Sequence, residues 1–275
     1  MKAKFFPSKL IISLIMILLA ASIIFPFFWM FLSTFKFEKD IISYPPTIFS
    51  SAYTFKQFVA VWDRMPIVRF SVNTLVFAGL ATGISIILDS MSGYAFARLK
   101  FKGKNGLFTV VLVSLMIPFQ VIMIPLFIIV FKLGILDTYA GLILPKATGA
   151  FGIFLMRSFF ISLPKDLEES GRIDGFSEFG IFWRLMLPLC VPATITLGIF
   201  YFMNHWNDLL YPLMLTNQTK MRTLSAGLAL FVGDRKTDYG PTLAAAAISV
   251  LPPIIAFVFA QKYFVRSIAM SGLKG

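Results

Sequence analysis

Six long apolar segments alternate with shorter polar stretches along this chain of 275 residues. An apolar α-helix of about 20 residues is long enough to cross the hydrocarbon core of a bilayer, which is roughly 30 Å thick. The pattern therefore predicts six membrane-spanning helices and an all-α integral membrane fold. The predicted spans cover residues 10–32, 71–97, 107–131, 139–160, 189–214 and 242–264.

The composition supports this interpretation and narrows the chemistry. Hydrophobic residues make up 58% of the chain and charged residues 14%, whereas a soluble domain has about 45–50% and about 25%. The net charge of +12 is explained more simply by basic loops beside membrane spans than by a nucleic-acid partner. Cys190 is the only cysteine and His205 the only histidine, so we expect no internal disulfide and no histidine-built metal site.

Basic residues predict how the chain is oriented in the membrane. Lys2, Lys4 and Lys9 precede the first apolar run, which is longer than the core of about 7–15 residues in a signal peptide. We therefore expect a retained span. The short loop from Arg98 to Lys104 has four basic residues and no acidic one, and short basic loops stay in the cytoplasm. Both chain ends are predicted to be cytoplasmic.

Glycine and proline residues within the spans indicate how these helices pack. Gly79 and Gly83 form a GxxxG pattern, which allows two helices to approach closely. Prolines are expected to interrupt spans because they remove a backbone donor, either as irregular packing or in bent helices that line a pathway. These prolines are Pro118, Pro125, Pro145, Pro252 and Pro253.

Polar residues at membrane depth are candidates for a solute pathway. Tyr201, Asn204, Asn207 and Asp208 have the spacing of one helical face in the fifth predicted span. Hydroxyl, amide and carboxylate groups there would suit a polyhydroxyl solute. The alternative is that they are hydrated near the outer interface or join helices together.

Three other polar residues in the spans have simpler explanations. Asp89 lies beside Ser90 and Ser92, so we expect it to form hydrogen bonds between helices. Lys146 is about two turns into its predicted span, from where its side chain can reach the interface. His205 is expected to be packed rather than to bind a ligand.

The polar island, residues 166–188, is too polar for hydrocarbon and has the signals of two short helices. Acidic residues occupy the first turns of the first helix, where they suit its dipole. Gly175 fits a C-terminal cap, and Ser177 fits an N-cap for the second helix. Small side chains at Ser170 and Gly171 would leave a flat strip for a partner. A solvated amphipathic loop is the alternative.

These residues resemble a known family. Glu169-Ser170-Gly171, then Gly175, then Leu187-Pro188, resembles the EAA loop of permease subunits of type I ABC importers. The stretches SGYAFARLKFKGKNG, HWNDLLYPLMLT and FVRSIAMSGLKG are similar to the carbohydrate-uptake branch, which contains the MalG-like permeases. One departure is that the two alanines of the motif are Ser170 and Gly171 here, which makes the helix less stable by up to about 1 kcal/mol at the glycine.

The resemblance implies that the island, with the EAA loop at 164–188, is a coupling helix that docks on an ATP-binding subunit. ATP and magnesium would then be bound by that partner and no cofactor by this chain, which lacks a G-x-x-x-x-G-K-[ST] phosphate loop and is not expected to be an enzyme. The implied docking residues are Glu168, Glu169, Ser170, Gly171, Asp174, Gly175, Leu187 and Pro188.

The resemblance also implies partners and a location. The expected assembly contains a second homologous permease, two ATP-binding cassette subunits, an extracytoplasmic solute-binding protein and a sugar substrate, within the lipid of a bacterial or archaeal inner membrane. Residues 216–241 would reach toward the binding protein. We expect a first span and outer loop at 1–70, the transmembrane domain at 71–266, and a cytoplasmic tail at 267–275 that also contacts the ATPase.

Two other classes of protein remain as alternatives. A secondary transporter would need a coupling-ion site, for which Asp89 is the only deep acidic candidate. An intramembrane enzyme would need convergent catalytic groups, and one cysteine and one histidine do not provide them. Within the importer class, a glycerol-phosphate diester or an oligopeptide is the alternative solute, because Lys146 would suit a phosphate.

Overall fold

The computed structural model describes residues 7–232 and 238–272, with side chains at 10–229 and 238–258. Within these ranges the chain forms α-helices, short 3₁₀ segments at Leu144–Lys146 and Thr219–Met221, one π-helical segment at Phe182–Met186, and no strand. The α-helices are α1 (Pro7–Ser33), α2 (Glu38–Ile41), α3 (Lys56–Arg64), α4 (Ile67–Arg98), α5 (Lys104–Ser114), α6 (Phe119–Lys132), α7 (Tyr139–Ile143), α8 (Ala150–Ser162), α9 (Asp166–Ile173), α10 (Glu178–Ile181), α11 (Leu187–Leu189), α12 (Val191–Trp206), α13 (Leu210–Leu215), α14 (Leu224–Val232) and α15 (Tyr239–Gly272).

The helices provide up to six candidate membrane spans in the part of the chain that the structure describes. Three are single helices, at Leu10–Ser33, Ile67–Arg98 and Tyr239–Val258. The other three are pairs of helices with a bend between them, and each counts as one span if the pair crosses together. They are Lys104–Ser114 with Phe119–Lys132, Tyr139–Lys146 with Ala150–Ser162, and Glu178–Leu189 with Val191–Trp206.

The bends explain where the predicted spans are right and where they are wrong. The three pairs bend by 101°, 44° and 79°, and Pro118 and Pro145 lie at the first two bends. The expected interruptions at Pro125 and at Pro252-Pro253 are wrong, because these residues lie inside continuous helices. The fifth predicted span is too long at its end, since α12 stops at Trp206 and α13 is separate.

The described residues divide into two compact units, and the first contains the chain up to Ile67 together with Leu228–Leu251. Its α1 is exposed along most of its length, as expected for a helix that faces lipid. Beyond α1, the Lys36 ammonium donates to the carbonyl of Thr47 at 2.5 Å and lies 4.7 Å from the centre of the Trp29 ring. Burial lowers the pKa of this lysine.

The second unit, Val68–Gly227 with Pro252–Gly275, contains two apolar cores. One gathers Tyr94, Phe160 and Met186 with their neighbours beside the polar island. The other is built around Phe77 and Tyr211.

Helices α4 and α8 lie close together at Gly93, where an added Cβ would lie 2.7 Å from the Met156 Cβ. The close approach expected at Gly79 and Gly83 is not present within the described residues, because an added Cβ at either position meets nothing within 4 Å.

Candidate functional site

The polar island forms the two short helices that its sequence predicts. Gly175 has φ +80°, and the amides of Gly175 and Phe176 donate to the carbonyls of Arg172 and Gly171, at 3.1 and 2.9 Å. This pair of bonds is a Schellman motif, which ends α9 and satisfies its last carbonyls. Ser177 is the N-cap of helix α10, and its hydroxyl accepts from the Gly180 amide at 3.2 Å.

A buried ion pair joins the first helix of the island to α4. The Arg98 Nε and Glu168 Oε1 atoms are 2.9 Å apart, and their side chains are 5% and 6% exposed. Burial raises the pKa of the Glu168 carboxyl, and the guanidinium groups of Arg98 and Arg172 oppose that shift. The pair lies outside hydrogen-bond geometry, so its attraction is mainly that of two charges. Glu168 therefore points into the protein rather than toward a partner.

Arg98 also connects the island to the end of α8. Its Nη2 donates to the carbonyls of Phe160, at 2.5 Å, and Leu163, which lie at the end of α8 and just after it. Arg172 extends the network, since its Nη2 lies 3.7 Å from Glu168 and its Nε donates to Glu178 at 2.8 Å. The Arg98 guanidinium thus links α4, α8 and the island.

The strip of small residues has a different role from the one the sequence suggests. Gly171 is buried, and an added Cβ would lie 2.6 Å from the Leu185 Cδ1 and 3.2 Å from the Ile181 Cγ1. This glycine therefore lets α9 lie against the chain's own second helix. Of the two small residues, only Ser170 is exposed.

The outward surface of the island is partly apolar. Ile173 is 86% exposed and Phe179 is 62% exposed, which are high values for such large apolar side chains. The other predicted docking residues divide between this surface and the interior. Glu169, Asp174, Gly175 and Pro188 are exposed, and Leu187 is half-buried against the core.

At membrane depth, Asp89 and Tyr201 provide hydrogen-bond partners for backbone amides at the start of α8. The Asp89 carboxylate accepts from the Gly149 amide at 3.1 Å and from the Thr148 hydroxyl at 2.5 Å. The Tyr201 hydroxyl donates to Asp89 at 2.5 Å and accepts from the Gly152 amide at 3.0 Å. The expected hydrogen bonding of Asp89 between helices is confirmed. Tyr201 is buried in this cluster, away from the other three members of its predicted stripe.

Those other three members, Asn204, Asn207 and Asp208, line a cavity of about 910 Å³. Lys146 also faces it, and its ammonium lies 2.9 Å from Asp208 and 4.7 Å from the centre of the Tyr211 ring. Lys146 therefore has an acidic partner within the protein, and its expected reach toward the interface stays a prediction. Aromatic rings complete the lining, among them Phe119, Phe151 and Phe200.

Sequence reasoning missed the partners of these charged residues. The sequence predicts Arg98 only as a basic residue of a short loop, and its pairing with Glu168 has no local signal. His205 is packed as expected, 5% exposed between Phe77 and Tyr201. Among the described residues no group of three or more His, Cys, Asp or Glu side chains suits a metal ion.

A bundle of broken and unbroken apolar helices, with up to six candidate spans among the described residues, is the fold of a multi-spanning membrane protein. The chain belongs to the family of binding-protein-dependent transport system inner membrane components, whose sequence model matches residues 81–270.

Individual relatives cover almost the whole chain. A probable ABC transporter permease protein, YurM of Bacillus subtilis, is 37% identical over 92% of this chain and 85% of its own. The arabinooligosaccharides transport system permease protein AraQ of Halalkalibacterium halodurans is 33% identical over 92% and 91%. A bacterial ABC transporter involved in the import of the acidic polysaccharide alginate has the same fold, with a TM-score of 0.83 at 20% identity over 96% of this chain and 99% of that one.

We expect Glu168→Gln to destabilise the protein by about 3 kcal/mol, because it leaves the buried Arg98 charge without its partner. Unfolding in mixed detergent micelles measures the difference. Glu169→Gln is the matched control, since its exposed side chain should cost less than about 0.5 kcal/mol. Equal losses from the two variants would show that the ion pair does not hold the island.

We expect Tyr201→Phe to destabilise the protein by about 1–3 kcal/mol, because it leaves Asp89 and the Gly152 amide short of a hydrogen bond in the membrane. The same unfolding measurement applies, with Tyr44→Phe, at a 96% exposed residue, as control. Unchanged stability together with altered transport would instead return Tyr201 to the solute pathway.

Proposed function

We propose that this chain is a permease subunit of an ATP-driven importer, and that its polar island docks on a separate ATP-binding subunit. The observation that carries the proposal is the division of the island into two faces. Its inner face is fixed to α4 through Arg98 and Glu168, while its outer face presents Ile173 and Phe179. Apolar side chains in such a position are suited to a protein partner.

ATP hydrolysis belongs, in this proposal, to the partner. The chain has no phosphate loop of the G-x-x-x-x-G-K-[ST] type, which is the backbone cradle that such ATPases use. ATP and magnesium would be bound by two ATP-binding subunits, and this chain would transmit their closure to the membrane helices. Glu169, Ser170 and Asp174 are exposed and would contact the partner, whereas Glu168 and Gly171 would hold the docking helix in place.

The proposed solute is an uncharged sugar or oligosaccharide. Amide side chains of Asn204 and Asn207 in a cavity with aromatic rings offer hydrogen bonds and flat apolar faces, which suit a polyhydroxyl ring. Lys146 would attract a phosphorylated solute if it were free, but Asp208 neutralises it at 2.9 Å. A non-sugar solute is therefore the less supported alternative.

The rest of the proposed assembly follows from the family. The pathway would lie between this chain and a second homologous permease, and a solute-binding protein would deliver the sugar on the outer side. Basic residues between α4 and α5 support a cytoplasmic position for that loop and for both chain ends. Side chains of the tail at 267–275 and residues 233–237 of the outer loop lie outside the described residues.

We expect Gly175→Val to abolish solute-stimulated ATPase activity in the reconstituted complex while membrane insertion is unchanged. Valine is strongly disfavoured at φ +80°, so the Schellman motif would open and α9 would lose its position. Gly175→Asn is the matched control, since asparagine tolerates this conformation and should keep most of the stimulation. Coupled transport at the wild-type rate in Gly175→Val would refute the docking role.

We expect alanine at Asn204 and Asn207 to alter the rate or the KM of uptake, because each substitution removes amide hydrogen bonds from the cavity. Arabino-oligosaccharides are the first probe, since the AraQ relatives are 33% and 32% identical to this chain. Asn105→Ala, at an exposed residue of α5, is the control. Uptake that matches the control in both rate and preference would assign these asparagines to packing.

A further inference from the structure

Helix α3 (Lys56–Arg64) has one face that contacts the protein and one that does not. Gln57 and Val61 are buried. On the other side, Phe55, Val59 and Trp62 are 71%, 56% and 64% exposed. Phe55 is the residue just before the helix, and with Val59 and Trp62 it has the spacing i, i+4 and i+7, so the three form a single apolar stripe.

The buried face of α3 is fixed where membrane-spanning helices begin and end. The Gln57 amide donates at 3.0 Å to the carbonyl of Lys36, three residues after α1 ends. The same side-chain amide packs against Gly240, the second residue of α15, so closely that a Cβ at that position would not fit. Arg64 pairs at 2.6 Å with Asp238, just before α15.

A third membrane-spanning helix, α4, begins at the same level because a short link joins it to α3. Only Met65 and Pro66 separate α3 from α4, which begins at Ile67. A link of that length reaches about 10 Å at most. The end of α1 and the starts of α4 and α15 therefore all lie beside α3, which is the position expected of a helix at the level where hydrocarbon gives way to water.

A helix at this level with an apolar stripe on its outer side has the form of an interfacial membrane helix. Tryptophan is enriched at such interfaces because its ring is apolar and its N–H is polar. Lys56 and Asp63 flank the stripe and are exposed, so their charged groups can stay in water while the stripe enters lipid. Helix α1, which belongs to the same unit, is likewise exposed along most of its length.

We propose that α3 is an amphipathic anchor whose Phe55, Val59 and Trp62 side chains insert into the lipid interface next to the ends of the three spans. The occupant of this surface is phospholipid, and not a solute-binding protein or a second permease. The anchor would fix the outer loop that joins α1 to α4 and hold the start of α15 through Gln57 and Arg64.

Spin labels at introduced cysteines test the proposal, because Cys190 is the only native cysteine and is buried. In a Cys190→Ala background, Val59→Cys and Trp62→Cys are labelled in the complex and reconstituted into vesicles of phosphatidylethanolamine and phosphatidylglycerol. Accessibility to oxygen, which is enriched in lipid, is compared with accessibility to a water-soluble nickel chelate. Ile17→Cys on α1 is the lipid control, and Lys39→Cys on α2 is the water control.

Labels at 59 and 62 should be more accessible to oxygen than to nickel, at a shallower depth than the label at 17. Greater access to nickel, as expected at 39, would overturn the proposal because the stripe would face water. Low access to both reagents would also overturn it, since a protein partner would then cover the stripe. None of these outcomes depends on ATP hydrolysis or on the identity of the solute, so the test is independent of the proposed function.

Discussion

Backbone groups inside a membrane have no water to bind, so every broken helix there needs partners from its neighbours. The break between α7 and α8 shows how this chain meets that requirement. Asp89 of α4 and Tyr201 of α12 satisfy the Gly149 and Gly152 amides at the start of α8. At the end of α7, the Tyr211 hydroxyl donates to the carbonyls of Gly141 and Leu142 at 2.9 and 3.0 Å. Side chains from other helices thus provide hydrogen-bond partners on both sides of the bend.

The same requirement decides which polar residues are left for a solute. The polar groups of Tyr201 and Asp89 form hydrogen bonds at the break between α7 and α8, although their residue types would suit a solute pathway equally well. Asn204, one turn further along α12, is exposed to the cavity and takes no part in the break. In the proposed importer, polar residues at membrane depth therefore divide into a structural set and a solute set, and the two meet along a single helix.

Local features of the sequence predict the number of spans and the two short helices of the island, but they do not predict the long-range pairs. Gly175 and Ser177 act on neighbours three to five residues away, so their caps can be recognised from the sequence alone. The pairs Arg98–Glu168 and Lys146–Asp208 join residues from distant parts of the chain, and no local pattern selects one partner over another. The role of Gly171 is also long-range, since its small size allows a contact with Leu185 and Ile181.

The contacts between α4 and α8 suggest how docking at the island would reach the cavity. These helices are joined at three levels: Asp89 at the start of α8, Gly93 against Met156, and Arg98 at its end. Asp89 and Arg98 are about 13 Å apart along α4, so the pair should move as one body over that length. In the proposed mechanism, force on α9 enters through Glu168 and Arg98. From α4 the force would pass through Asp89 to Tyr201 on α12. The next turn of α12 contains Asn204, whose amide lines the cavity.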